Sequence, residues 1–109
     1  MRAPLISILA GCYNVSKFLK EGRLNDIFNQ TFTEWELILV DDGSTDGTSE
    51  ILDEEAKKEK RITVIHKENG GLGSARNAGL DVARGKYIWS FDLYDRVDSY
   101  VLYKLYYIS

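Results

Sequence analysis

The sequence predicts an α/β fold with a mostly parallel sheet of four strands and helices on both faces. Four short apolar runs alternate with amphipathic segments along the 109 residues, as is typical of parallel strands joined by crossover helices. The runs are almost continuously apolar and contain β-branched residues, as expected for strands buried on both faces. This length suffices for one core, so the element order β-α-β-α-β-α-β-α is assigned to a single domain, residues 1–109.

Two strands and one helix are predicted in the N-terminal part of the chain. Residues 5–10 (LISILA) and residues 35–40 (WELILV) are the first two apolar runs. Between them, residues 16–31 carry apolar side chains at helical spacing. This spacing predicts one helix, which Gly22 weakens near its middle.

Capping residues and glycines delimit the elements that follow. Thr45 or Asp46 is placed to cap a helix after the second strand. Residues 62–66 (ITVIH) form the third strand, and a glycine-rich turn at residues 68–74 leads into the third helix. Gly85 is placed to end that helix.

The C-terminal part of the chain combines a strand with a tyrosine-rich helix. Residues 87–91 (YIWSF) form the fourth strand, and a polar turn leads to a last helix from about Asp98. Residues 100–108 (YVLYKLYYI) carry tyrosines and aliphatic residues at helical spacing. Because an exposed apolar face seeks a partner, we expect a homo-oligomer formed through this segment.

Composition and charge exclude several classes of protein. The net charge of −3 and the sequence pI of about 5.1 provide no basic field, so we expect no nucleic-acid partner. The single cysteine, Cys12, cannot form an internal disulfide, which suits a reducing compartment. The N-terminal apolar run is too short to span a membrane. These features favour a cytoplasmic location.

The unusual polar residues follow the strands, where open parallel sheets bind their ligands. Asp41 and Asp42 stand side by side at the end of the second strand. Their mutual repulsion must be offset by a bound donor, cation or amide. We expect one cleft at this edge, lined by Tyr13, Asp42, Arg76 and Asp92.

Two familiar motifs are matched only in part. Residues 42–53 have the spacing of a calcium-binding loop, but such a loop follows a helix and this one follows a predicted strand. Residues 71–76 imitate the dinucleotide fingerprint, but Arg76 takes the place of a glycine or alanine, and the motif follows the third strand. A calcium loop and a nicotinamide-cofactor site are therefore both disfavoured.

Single residues leave alternatives open. Tyr13 either covers the core as a rim aromatic or stacks on a base. Arg76, in the first turn of its helix, can meet a phosphate or a carboxylate. Asp92 is a candidate ligand of a hard cation, whereas Asp95 is either a second ligand or a helix cap. His66 is interpreted as structural rather than catalytic.

Three motifs in order resemble the family 2 glycosyltransferases, which have the GT-A fold. They are ISILAGCYNVSKFLKE, NQTFTEWELILVDDGSTDGT and VIHKENGGLGSARNAGLDVARGKYIWSFD. The resemblance extends from about Leu5 to Leu105 and is strongest to bacterial members that build capsule, lipopolysaccharide and other exopolysaccharides. It implies that this chain is a Rossmann-like, N-terminal nucleotide-sugar-binding half.

The resemblance also implies an activity and residue roles. The reaction would be an inverting transfer of a sugar from a nucleotide-diphosphate sugar, commonly a UDP-sugar, to an acceptor hydroxyl. Tyr13 would pack on the nucleobase, Asp42 would accept a hydrogen bond from it, and Asp41 would support Asp42. Arg76 would line the nucleotide pocket. Asp92 would meet the ribose or a divalent cation, Mg²⁺ or Mn²⁺.

The chain departs from the family pattern at two points. The usual metal-holding aspartate is replaced by Tyr94, and a phenol is a poor ligand for these cations, so metal affinity is weakened or rebuilt around Asp92 and Asp95. The family's general base belongs to an acceptor-binding half expected beyond residue 109. We therefore expect a truncated domain that transfers no sugar on its own.

The alternative function is a catalytically inactive or vestigial nucleotide-binding module. Tyr94 and the lack of an acceptor-binding half are compatible with it. For an active enzyme, the expected partners are a UDP-sugar and a saccharide or lipid-linked acceptor. A lipid-linked acceptor would place the protein at the inner face of the membrane.

Overall fold

Five strands form one sheet in the order β3-β2-β1-β4-β5 in a computed structural model that describes residues 4–29, 33–90 and 106–107. The strands are β1 (Ile6–Cys12), β2 (Trp35–Asp42), β3 (Ile62–Lys67), β4 (Tyr87–Ser90) and β5 (Tyr106–Tyr107). The first four run parallel to one another, and β5 pairs antiparallel with β4. The predicted parallel sheet of four strands is confirmed, with a fifth strand added at its edge.

Helices cover both faces of the sheet. They are α1 (Ser16–Lys20), α2 (Asn25–Phe28), α3 (Thr48–Lys58) and α4 (Leu72–Val82). One core joins Leu37 and Leu39 of β2 to Leu52 of α3. The second core, on the other face, joins Ile38 and Val40 to α4. Since alternate residues of a strand point to opposite faces, the apolar run at residues 37–40 of β2 supplies both cores.

The region predicted as one helix over residues 16–31 contains two short helices, so that prediction is wrong. α1 ends at Lys20, and the chain turns through Gly22, whose φ is +82°. This left-handed conformation suits glycine and interrupts the helical hydrogen bonds. Residues 30–32 lie outside the described residues.

Gly85 was predicted to end α4, but it does not. The helix ends at Val82, and Gly85 instead packs against β1, where its amide donates to the Ser7 hydroxyl at 2.7 Å. The buried Glu36 carboxylate accepts the same hydroxyl at 2.6 Å and the Arg84 amide at 2.7 Å. These bonds tie the α4–β4 connection to the two central strands at the edge where those strands begin.

The predicted C-terminal helix is contradicted at its end. Tyr106 pairs with Ile88 and Tyr107 with Tyr87, so these two residues extend the sheet. The rest of that prediction, together with Phe91 of the predicted fourth strand, lies outside the described residues. None of the helices in the described part of the chain has the length and hydropathy of a membrane span.

Candidate nucleotide-binding site

The carboxyl ends of three strands meet at one edge of the sheet. The strand register pairs Cys12 with Asp41, and Asp41 with His66. A cleft of about 230 Å³ opens at this edge, beside the start of α4. It is lined by Gly11, Cys12, Tyr13, Asp42, Asn69, Gly71, Leu72 and Ala75.

Asp41 and Asp42 are both buried, at 3 % and 4 % exposure, but they face opposite sides of the sheet. Asp41 lies on the α3 side, where it accepts the Ser44 amide at 3.1 Å, the Ser49 hydroxyl, and His66 Nδ1 at 2.8 Å. Burial by itself would raise the pKa of Asp41, but these hydrogen bonds outweigh it and lower that pKa.

Asp42 lies on the α4 side and holds the glycine-rich turn. Its Oδ1 accepts Lys67 Nζ at 3.0 Å and the Gly70 amide at 2.9 Å, and its Oδ2 accepts the Gly71 amide at 3.0 Å. Burial would raise the pKa of Asp42, but the bonds from Lys67 and the two amides lower it. The expected offset for two adjacent carboxylates is thus supplied by the chain's own amides and cations.

Tyr13 lies at the mouth of the cleft, where it is 50 % exposed. The Ser44 hydroxyl holds the backbone on both sides of it, donating to the Cys12 carbonyl at 3.4 Å and accepting the Asn14 amide at 3.0 Å. Asn14 has a φ of 52° and accepts the Thr45 amide at 2.8 Å. The loop after β1 is therefore fixed to the loop after β2.

Arg76 lies beside this cleft rather than in it. It lines an adjoining cavity of about 200 Å³ that shares Gly11, Leu72 and Ala75 with the first. The cation paired with Asp42 is Lys67, which was not among the residues predicted for the site. Its position near the site could have been predicted from the sequence, because Lys67 directly follows the third predicted strand.

Asp92, Tyr94 and Asp95 lie outside the described residues, so their predicted roles stay predictions. Ser90, the last residue of β4, lines the adjoining cavity. Among residues 4–29, 33–90 and 106–107, no group of three or more His, Cys, Asp or Glu side chains is arranged to hold a metal ion.

Asp46 joins the starts of two helices. The N-cap position of α3 is Gly47, not Thr45 or Asp46 as expected. Asp46 nevertheless accepts the Thr48 amide at 3.1 Å and the Thr48 hydroxyl at 2.6 Å, and its second oxygen accepts the Ser16 amide at 3.2 Å. Burial opposes the shift, but these bonds lower the pKa of Asp46 to about 2.

Replacing Asp46 with asparagine is expected to reduce the free energy of unfolding at neutral pH but not in acid. The folded-state pKa is about 2 against an ordinary 3.8, so the carboxylate's contribution is present above about pH 4 and is lost as the pH falls to about 2. Urea unfolding over this range measures the difference. Asp81→Asn, at an exposed position on α4, is the matched control. An equal difference at both ends of the range would contradict the prediction.

The parallel sheet and the position of the cleft place the chain in the Rossmann-like α/β class, of the GT-A type. The chain belongs to glycosyl transferase family 2, whose family model matches residues 7–107. Both the predicted family and the predicted fold are confirmed.

Curated relatives agree with this family. The chain is 45% identical over 102 residues to the uncharacterized glycosyltransferase EpsJ of Bacillus subtilis (strain 168), covering 94% of the chain and 29% of EpsJ. It is 41% identical over 91 residues to a chondroitin synthase of Escherichia coli, covering 84% of the chain and 13% of that protein. The chain thus spans less than a third of either relative.

Solved structures show the same fold. The S. aureus TarS 1–349 structure in complex with UDP-GlcNAc has a TM-score of 0.80 and 32% sequence identity, over 91% of this chain and 29% of that one. A mannosyltransferase from Pyrobaculum calidifontis, solved with GDP-Man and Mn²⁺, has a TM-score of 0.82 and 24% identity, over 94% and 31% of the two chains. At that identity the second likeness concerns the fold alone.

Proposed function

We propose that this chain is the donor-binding part of an inverting glycosyltransferase that transfers a sugar from a UDP-sugar to an acceptor hydroxyl. The observation that carries the proposal is the cleft at the carboxyl edge, with Tyr13 at its mouth and the anchored Asp42 in its lining. The S. aureus TarS structure with UDP-GlcNAc supports the choice of nucleotide.

The chain's own residues account for binding of the base. Half of Tyr13 is exposed and its backbone is held on both sides, so its ring can stack on a base with little loss of freedom. Asp42 Oδ2 accepts the Gly71 amide at 3.0 Å and has a longer contact of 3.4 Å with Asn69 Nδ2. A donor on the base can take the place of this longer contact. The imide N–H of uracil is such a donor. Asp41 supports Asp42 indirectly, by ordering the loop that follows them.

Arg76 completes the proposed nucleotide site. It is the fifth residue of α4, is exposed, and lines the adjoining cavity together with Ser90. A guanidinium at this position suits a diphosphate. Asp92 and Asp95 are proposed to hold Mg²⁺ or Mn²⁺ weakly, a proposal that rests on the family pattern and on their place in the sequence.

The relatives support a proposal for the acceptor and for the location of the protein. Polysaccharide-building relatives, such as the chondroitin synthase, favour a saccharide or lipid-linked acceptor in cell-surface polysaccharide synthesis. We propose a cytoplasmic protein, at the inner membrane face for a lipid-linked acceptor, with self-association through residues 100–108. The 109 residues by themselves are proposed to bind the donor without transferring its sugar.

Replacing Tyr13 with alanine is expected to weaken UDP binding by about 10- to 100-fold, because base stacking on an aromatic ring contributes about 1–3 kcal/mol. Calorimetric titration with UDP, with and without Mn²⁺, measures the affinity and tests the proposed cation together. Tyr13→Phe is the matched control, since it keeps the ring and should bind within about threefold of the wild type.

The titration also decides the proposed function. Binding of UDP by the wild type, lost in Tyr13→Ala and kept in Tyr13→Phe, is the expected result. Equal affinity of all three proteins would remove Tyr13 from the site, and no binding by the wild type would overturn the proposed function.

A further inference from the structure

His66 lies between two carboxylates on the α3 side of the sheet. Its Nδ1 is 2.8 Å from Asp41 Oδ2, and its Nε2 is 2.8 Å from Asp53 Oδ1. A carboxylate can only accept a hydrogen bond, so both ring nitrogens must donate. Only the imidazolium carries two N–H groups. The geometry therefore selects the charged form of His66.

We propose that His66 is a pH-dependent positioning residue of the nucleotide cleft. As an imidazolium, His66 holds Asp41 in place, and Asp41 in turn helps to fix the backbone around Tyr13. This inference rests on the function proposed above. It concerns the opposite face of the sheet from the cleft, so His66 acts through other residues and does not touch the nucleotide.

A short series of contacts connects His66 to the cleft. Asp41 Oδ2 contacts His66, while Asp41 Oδ1 accepts the Ser44 amide at 3.1 Å. The Ser44 hydroxyl then contacts the Cys12 carbonyl at 3.4 Å and the Asn14 amide at 3.0 Å, on either side of Tyr13. The position of Tyr13 thus depends on Ser44, and the position of Ser44 depends on Asp41.

The charged groups around His66 favour its protonated form. Asp41 faces it from β2 and Asp53 from α3, while Lys67 on its own strand points to the other face and binds Asp42. The hydrogen bond to Asp41 and then that to Asp53 raise the pKa of His66 above 6.5, and partial burial opposes them less. The imidazolium is therefore present at low pH and is lost as the pH rises through this raised pKa.

Loss of that proton changes both contacts. A neutral imidazole has one N–H, so one of the two carboxylates then faces a ring lone pair at hydrogen-bond distance. The neutral ring can still donate from Nδ1 to the almost fully buried Asp41, but this hydrogen bond is weaker because the positive charge of the imidazolium is gone. We expect the Ser44 contacts to loosen and Tyr13 to lose its fixed position.

The test is a UDP titration of the wild type, His66→Gln and Asp53→Asn from about pH 6 to about pH 9. The affinity of the wild type should fall about threefold to tenfold across the transition, in line with the weakening of one charge-assisted hydrogen bond. His66→Gln should lack this step, and the difference between the two profiles removes the ionisations of UDP itself. In Asp53→Asn the step should move to lower pH, because one of the two carboxylates that favour the imidazolium is neutral.

A second measurement does not depend on any variant. The chain has a single histidine, so the ring signals of His66 are unambiguous in an NMR titration. By thermodynamic linkage, a ligand that binds better to the protonated form must raise the pKa of His66. Uridine should produce this rise as UDP does, although it carries no phosphate charge.

The outcomes are separable. UDP binding with the same pH profile in the wild type and in His66→Gln would overturn this inference and leave the proposed function standing. A pKa of His66 that responds to UDP but not to uridine would overturn it as well, since the phosphate charge alone would then account for the response. No UDP binding by any of the three proteins at any pH would overturn both.

Discussion

Replacing Asp42 with asparagine is expected to weaken UDP binding by about 10- to 100-fold and to lower the free energy of unfolding by about 2 kcal/mol. The carboxylate accepts one ammonium and two backbone amides within 3.0 Å. An amide side chain has one acceptor oxygen, so its NH₂ group must face at least one of these donors. The base loses a charged acceptor, and the turn at Gly70 and Gly71 loses its anchor.

Calorimetry with UDP and urea unfolding together measure this prediction. Asp81→Asn makes the same chemical change at an exposed position on α4, and should leave both affinity and stability unchanged within about twofold and about 0.5 kcal/mol. An Asp42→Asn protein that is less stable but binds UDP normally would restrict Asp42 to holding the turn. In that case Asp42 would have no part in recognising the base.

Replacing Gly85 with alanine is expected to lower the free energy of unfolding by about 3 kcal/mol, although the substitution adds one methyl group. A Cβ at this position would lie 2.6 Å from the Ser7 nitrogen and 2.8 Å from the Ile6 carbonyl carbon. Both are backbone atoms of the central strand, so the connection before β4 must move. That movement stretches the bond from Gly85 to Ser7 and disturbs the buried Glu36.

Gly73→Ala is the matched control for this change. Nothing lies within 4 Å of a Cβ at Gly73, which is inside α4, so alanine there should stabilise the chain by about 0.5–1 kcal/mol. Thermal unfolding compares the two, and Gly85→Ala should lower the Tm by more than about 10 °C. Equal Tm values for Gly85→Ala and the wild type would show that the connection adapts without cost.

The strands were predictable from sequence because their signal is local. The run at residues 35–40 is apolar at every position except Glu36, which is typical of a strand covered on both faces, and the structure extends it only to Asp42. The helical regions were less predictable. The spacing over residues 16–31 predicted one helix, and the structure has two short ones, Ser16–Lys20 and Asn25–Phe28. Whether a glycine merely weakens a helix or separates two helices depends on packing, and Gly22 lies in the turn between them.

The residues that contact the two aspartates could be predicted only with knowledge of which strands pair. Sequence placed Asp41 and Asp42 at a strand end and required groups to offset their charge, but only the register of β2 with β3 brings His66 and Lys67 beside them. The alternation of side chains along a strand does predict, from the sequence alone, that the two carboxylates face opposite sides of the sheet. The structure brings Tyr13 and Asp42 to one cleft and Arg76 to the next cavity.

Gly85 illustrates a different limit of sequence reasoning. A glycine after a helix is commonly a C-terminal cap, and nothing in the local sequence distinguishes that role from a close backbone approach. The contact that requires glycine here is with Ser7, 78 residues earlier in the chain. Such a requirement appears only when the strands are assembled.

Trp35 is an intrinsic fluorescent probe of folding that lies far from the cleft. Its indole is 2 % exposed, lies 6.2 Å from the Phe28 ring centre, and has the Arg61 guanidinium 3.7 Å above it. Asp42 lies at the other end of the same strand, about 23 Å away at about 3.3 Å per residue. With Trp89 replaced by phenylalanine, fluorescence would follow loss of the native state without direct quenching by a bound nucleotide. Binding of a ligand would then be detected only as a shift in the midpoint of the denaturation curve.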